Sequence, residues 1–249
     1  MRWKPSRKFW LSLIAALAIG RTAAQDSLPT SRYHQQPFFF FSIGPAYYRT
    51  AGHIRKFADG LTAFALRFHY RTPGAWTIGA RFSIGMTERI RHNPFLTIAT
   101  DDTFLYNALG LKEPMNIRFQ HYAAALELSR FFPIRRTLRG TWYWRPRLAG
   151  GYALYHYWFE HPGLVPLLQK PFRRGFDYMH GGADVYQSIG IGWLSEDNRL
   201  HIELSMEAHQ MYSVFLRKKA YDQPAPFPHT EWDFLWGPSL VMLVLISPP

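Results

Sequence analysis

Trp76-Thr77-Ile78-Gly79-Ala80-Arg81-Phe82-Ser83-Ile84-Gly85-Met86-Thr87 alternates without a break. Its even positions are apolar throughout, and its odd positions are small, polar or cationic. Successive strand residues point to opposite faces, so this period of two predicts a strand with one apolar and one polar face. Residues 62–71 repeat it, with Phe64, Leu66, Phe68 and Tyr70 against Ala63, Ala65, Arg67, His69 and Arg71. In 119–129, Tyr122, Ala124, Leu126 and Leu128 oppose His121, Ala123, Ala125, Glu127 and Ser129. In 200–209, Leu200, Ile202, Leu204, Met206 and Ala208 oppose His201, Glu203, Ser205, Glu207 and His209. Weaker alternation covers 38–49, 142–158, 184–194 and 232–246, the last a nearly continuous apolar run. Eight strands of about 10–15 residues follow, long enough to cross a bilayer, which takes about 9–11.

The connections carry an independent pattern. Segments 72–75, 131–140 and 195–199 are short, whereas 50–60, 88–117, 159–182 and 216–230 are longer. Short and long connections alternate along the chain, as in an up-and-down barrel with short periplasmic turns and long external loops. Within 88–117, Asp101 or Asp102 as a cap and Gly110 as a stop predict one or two helical turns. The apolar side of these turns would pack over the barrel mouth or meet a partner.

The N-terminus reads as an address. Arg2, Lys4, Arg7 and Lys8 precede an apolar run from Phe9 to Ile19, and Thr22 and Ala24 supply small residues for cleavage before Gln25. We therefore divide the chain into a signal peptide at 1–24, a periplasmic segment at 25–36 and a barrel at 37–249. The 29 Lys and Arg against 17 Asp and Glu give +12, but five of those cations lie in the signal, leaving about +7. That weakens a nucleic-acid reading, which needs a basic patch on the folded domain. The absence of cysteine excludes a disulfide scaffold, thiolate metal sites and a cysteine nucleophile. Beyond the N-terminus no apolar run of 18 residues occurs, which excludes a helical membrane bundle.

In strand alternation and loop asymmetry over 37–246, the chain resembles the small eight-stranded outer-membrane β-barrels of Gram-negative bacteria, the class of the OmpA transmembrane domain and OmpX-like proteins. The resemblance implies an all-β fold, a closed antiparallel up-and-down transmembrane β-barrel of about eight strands, in the outer membrane. Such barrels often end in an aromatic residue; this chain ends Leu245-Ile246-Ser247-Pro248-Pro249. The rival is a soluble lipocalin-like barrel, with its apolar face turned inward around a ligand. Small uncharged residues on the non-apolar face (Ser42, Gly44, Ala46, Ser188, Gly190, Gly192) favour the membrane barrel. So do tryptophans at strand ends: Trp76, Trp142, Trp144 and Trp193 at one rim, Trp158, Trp232 and Trp236 near the other.

In a membrane barrel the polar face turns inward. The inward set includes Arg67, Arg81, Arg145 and Arg147 with Glu127, Asp184, Glu203 and Glu207, four cations and four anions. Unpaired buried charges are costly, so equal numbers predict a hydrogen-bonded plug and a non-conducting barrel. A proton or ion path is the alternative. His201, Glu203, Glu207 and His209 share a face, but strand residues two apart are about 7 Å apart, so they do not chelate alone. We expect no metal and no cofactor. Outer-membrane lipid hydrolases place His and Ser two apart on a lipid-facing strand, and no His-x-Ser occurs here. A lipid-modifying acyl hydrolase or acyltransferase is the alternative to a structural, adhesive or assembly-partner role, with His209 and Ser213 four apart and His156 near Glu160. The external ends carry basic residues, among them Arg89, Arg91, Arg173, Arg174, Lys218 and Lys219. These are candidates for lipopolysaccharide phosphate, which arginine engages with paired hydrogen bonds. Expected partners are outer-membrane lipid and lipopolysaccharide, and a protein through the external loops, for a monomer that binds no nucleic acid.

Overall fold

A computed structural model describes residues 37–95, 104–161, 163–169, 172–195, 201–217 and 230–245. The expected signal peptide, 1–24, and the segment 25–36 lie outside the described residues. Eight long strands form the body: β1 Phe38–Gly52, β2 Leu61–Arg71, β3 Trp76–Thr87, β4 Asn116–Arg130, β5 Gly140–Glu160, β6 His180–Ser195, β7 His201–Phe215 and β8 Glu231–Leu245. Each pairs antiparallel with its sequence neighbours, and β1 pairs with β8 to close the ring. Closure leaves no open edge among the eight. Along the β1–β8 seam stand Gly44 and Gly237, where a Cβ would lie 1.9 Å from the Leu240 and Tyr47 carbonyl oxygens respectively. Only glycine lets the two backbones approach that closely.

The faces sort by polarity. Leu126 is 74% exposed, Leu204 63% and Ile78 55%, whereas Arg81 is fully buried. The apolar face is therefore outside and the charged face inside. This overturns the lipocalin-like alternative, because an apolar outer wall requires lipid as its solvent. Tryptophans flank this wall at both ends: Trp76 and Trp142 at the rim of the short connections, the expected periplasmic rim, and Trp158, Trp232 and Trp236 at the rim of the long ones, the expected external rim, all exposed. The strands run 11–21 residues, enough for each to cross a bilayer.

Two connections depart from their sequence reading. The helical turns expected around 101–110 are replaced, over the described part, by a hairpin of Phe104–Tyr106 and Lys112–Pro114. The Asn107 side-chain oxygen accepts the amides of Leu109 and Leu111, each at 2.9 Å, and Gly110 sits at φ +76°. Local capping by asparagine and a left-handed glycine build a turn as readily as they end a helix. On the periplasmic side, 131–140 is more than a turn. Phe132–Thr137 pairs with the start of β5, so a short hairpin projects below the barrel.

Candidate functional site

The eight charged residues assigned to the lumen are all at most 3% exposed, and all but Asp184 meet there. Glu207 on β7 is the first hub. Arg67 donates to its Oε1 at 2.7 Å, Arg81 lies 3.4 Å from its Oε2, and the Tyr48 hydroxyl donates to Oε2 at 2.5 Å. Ser239 also donates to it. Glu203, four residues back on the same face, is the second hub. It binds Arg147, accepts from the Tyr143 hydroxyl at 3.1 Å, and has Arg145 at 4.0 Å. Glu127 on β4 sits among Arg147 at 3.4 Å, Arg67 at 3.7 Å and Arg145 at 3.9 Å, without an aligned hydrogen bond. Asp184 stands apart and pairs with His209 Nδ1 at 2.9 Å. The arginines are also held by their flat faces: Arg81 covers Tyr186 at 4.4 Å and Arg145 covers Phe131 at 4.4 Å.

Two further charges join this set: Arg71, which alternation already places on the polar face of β2, and Asp233, which the structure reveals. Arg71 lies buried over Phe131 at 4.9 Å, and Asp233 on β8 is 1% exposed. Five arginines and five carboxylates thus face the lumen among the described residues. Asp233 has a different task from the others. It accepts the Ile54 amide, the Tyr155 hydroxyl at 3.0 Å and the Ser213 hydroxyl at 2.6 Å. The bond to Ile54 draws the first external loop inward, where Ile54, Phe57 and Ala58 are buried. Phe95, Leu105, Leu168, Phe176 and Tyr178 from the other loops join Tyr155 and Tyr157 in one apolar cluster. Tyr157 fastens it by donating to the His92 carbonyl at 2.6 Å. The external mouth is capped by packed aromatics, the middle is filled by ion pairs, and Phe40, Phe131, Tyr143 and Leu194 pack at the periplasmic end.

The residues weighed for catalysis face elsewhere. His209 and Ser213 both point inward, and each engages a different carboxylate, Asp184 and Asp233. His156 is on the outer wall, where its Nδ1 contacts the Tyr157 carbonyl and its ring stacks on Tyr122, while Glu160 pairs with Arg118.

The external basic residues divide by environment. Arg89 and Arg174 are exposed. Arg91 pairs with Asp59 at 2.9 Å, and this contact holds the Asp59 carboxyl below its ordinary range. Arg173 covers Trp158 at 4.5 Å, and Arg49 covers Trp236 at 5.8 Å, both on the lipid side of the external rim. Arg217 is committed to Asp177, which raises its own pKa. Lys218 and Lys219 lie outside the described residues.

No protein-family model and no curated protein matches the chain. Among the solved structures it is similar to are the following three. Neisserial surface protein A is 10% identical, with 85% of this chain and 99% of that one covered, at a TM-score of 0.44. The attachment invasion locus protein Ail of Yersinia pestis, solved with the heparin analogue sucrose octasulfate, is 12% identical, covering 83% and 99%, at 0.39. OprG from Pseudomonas aeruginosa is 8% identical, covering 85% and 99%, at 0.36.

Proposed function

We propose that the protein is exported, loses residues 1–24, and resides in the outer membrane as a monomeric, non-conducting barrel with a structural or adhesive role. The observation that carries this reading is the filled lumen. Aromatic cap, ion-paired middle and apolar base follow one another from rim to rim. An eight-stranded barrel has interior space only for side chains. Function then falls to the loops and the outer wall. The hairpin tip exposes Tyr106, Leu109 and Leu111 beside Leu164, an apolar surface open to a protein partner. No catalytic residues are assigned.

The external arginines serve lipopolysaccharide. Arg173 over Trp158 and Arg49 over Trp236 stand at the external rim, where their guanidinium groups can engage phosphate. Arg89 and Arg174 add exposed charge nearby. Each contact near an anionic surface contributes about 1 kcal/mol, so only the group is effective. The test neutralises Arg89, Arg91, Arg173, Arg174, Lys218 and Lys219 together. Co-purifying lipopolysaccharide should fall sharply, and the thermal stabilisation it confers on the parent should shrink with salt. Equal retention by parent and variant would remove the loops from consideration.

A further inference from the structure

The outer wall near the periplasmic rim is neither flat nor wholly apolar. A groove of about 290 Å³ runs up it, lined by Leu128, Trp144, Pro146, Leu148, Ile189 and Met206. Gln187 of β6 also lines it. This side chain is 6% exposed, and its Nε2 has no hydrogen-bond partner. A buried amide without a partner on a lipid-facing wall is costly, so its presence calls for an acceptor in the groove. At the lower mouth stands Arg130. Its guanidinium lies 5.2 Å from the Trp76 ring and 5.1 Å from the Phe132 ring, and Phe132 in turn stacks on Trp144. No carboxylate among the described residues pairs with Arg130, and its Nε is buried without a partner. Below it the projecting hairpin carries Arg135, Arg136 and Arg139, all exposed, and no acid.

We propose that this groove is a binding site for one anionic glycerophospholipid of the inner leaflet. Arg130, fixed between two rings, receives the phosphate. Gln187 belongs to the row of Leu148 and Leu128, two residues above the row of Arg130. Two residues along the strand (about 7 Å) and two strands across (about 10 Å) put their Cα atoms roughly 12 Å apart, a span that the two long side chains and the step from phosphate to ester carbonyl cover together. The Gln187 amide donates to that carbonyl, and the acyl chain continues up the apolar groove. The hairpin arginines bias the site towards a headgroup with net negative charge.

The test uses the full mature protein, folded and stripped of lipid in detergent, titrated with phosphatidylglycerol or with phosphatidylcholine and read by native mass spectrometry. The parent should hold one phosphatidylglycerol. Arg130→Gln and Gln187→Leu should each lower its retention about fivefold. Gln187→Leu has a second signature that loss of folding cannot imitate. It removes the unpaired amide, so in lipid-free detergent it should melt above the parent while binding less lipid. Equal phosphatidylglycerol retention by the parent and the double variant would overturn the site. Equal retention of the two lipids by the parent would overturn its preference for an anionic headgroup.

Discussion

Glu203 shows how a charge is kept in a narrow lumen. It is fully buried and engages Arg147, Tyr143 and, more distantly, Arg145. Removing one member of such a pair leaves the other charged and alone, at a cost of about 3–5 kcal/mol. Glu203→Gln should therefore lower the heat-modifiability transition strongly. Adding Arg147→Met should recover much of the loss, and purely additive losses would show that the two do not couple. His53 offers a second prediction. Burial beneath the loops, with His180 and Lys56 nearby, lowers its pKa to about 3 from 6.5. It is thus neutral when folded, while the unfolded chain takes up a proton below about pH 6.5. Its contribution is flat above that pH and turns increasingly destabilising as pH falls from about 6.5 towards 3. In His53→Phe the thermal midpoint should decline less steeply over that window; an unchanged slope would mean that His53 does not titrate with unfolding. Most lumen residues were legible from parity alone. Arg145 and Arg147 share a face with Ala149 and Ala153, and so turn inward together. Asp233 was not, because the Leu240–Leu245 run makes both faces of β8 apolar and hides which is which.

At the scale of elements, the eight strands were readable because alternation and loop length report the same topology independently. The loops were not. Asp, Asn and Gly around 101–110 suit a helix cap or a hairpin turn, and the pairing of Phe104 with Pro114 decides between them only in three dimensions. The inward fold of 53–60 likewise depends on Asp233, which is 179 residues from its partner Ile54. The closing seam is the element whose geometry is most demanding. Gly44→Val places side-chain atoms where the Leu240 carbonyl lies, so β1 and β8 cannot approach. The variant should lose the compact, fast-migrating form in unheated electrophoresis. Substitution at Gly150, where a Cβ would meet nothing within 4 Å, should keep it. Equal behaviour of the two would show that the seam tolerates a side chain.

Across the whole molecule, an apolar wall faces lipid and the polar residues it cannot expose are gathered inside. There Arg67, Arg81, Arg145 and Arg147 pair with Glu127, Glu203 and Glu207, under a lid that Asp233 ties down. On the function proposed above, the working surface is the outside: the external loops, their arginine-on-tryptophan pairs, and the lower groove with Arg130 and Gln187. All of this depends on the lumen being a packed core and not a passage. Single-channel recording of the purified monomer in planar bilayers tests that directly. The current should remain at baseline across the accessible voltage range. Stable, large unitary conductances would contradict the account, because ions would then be crossing the space assigned to Arg67, Arg147, Glu203 and Glu207.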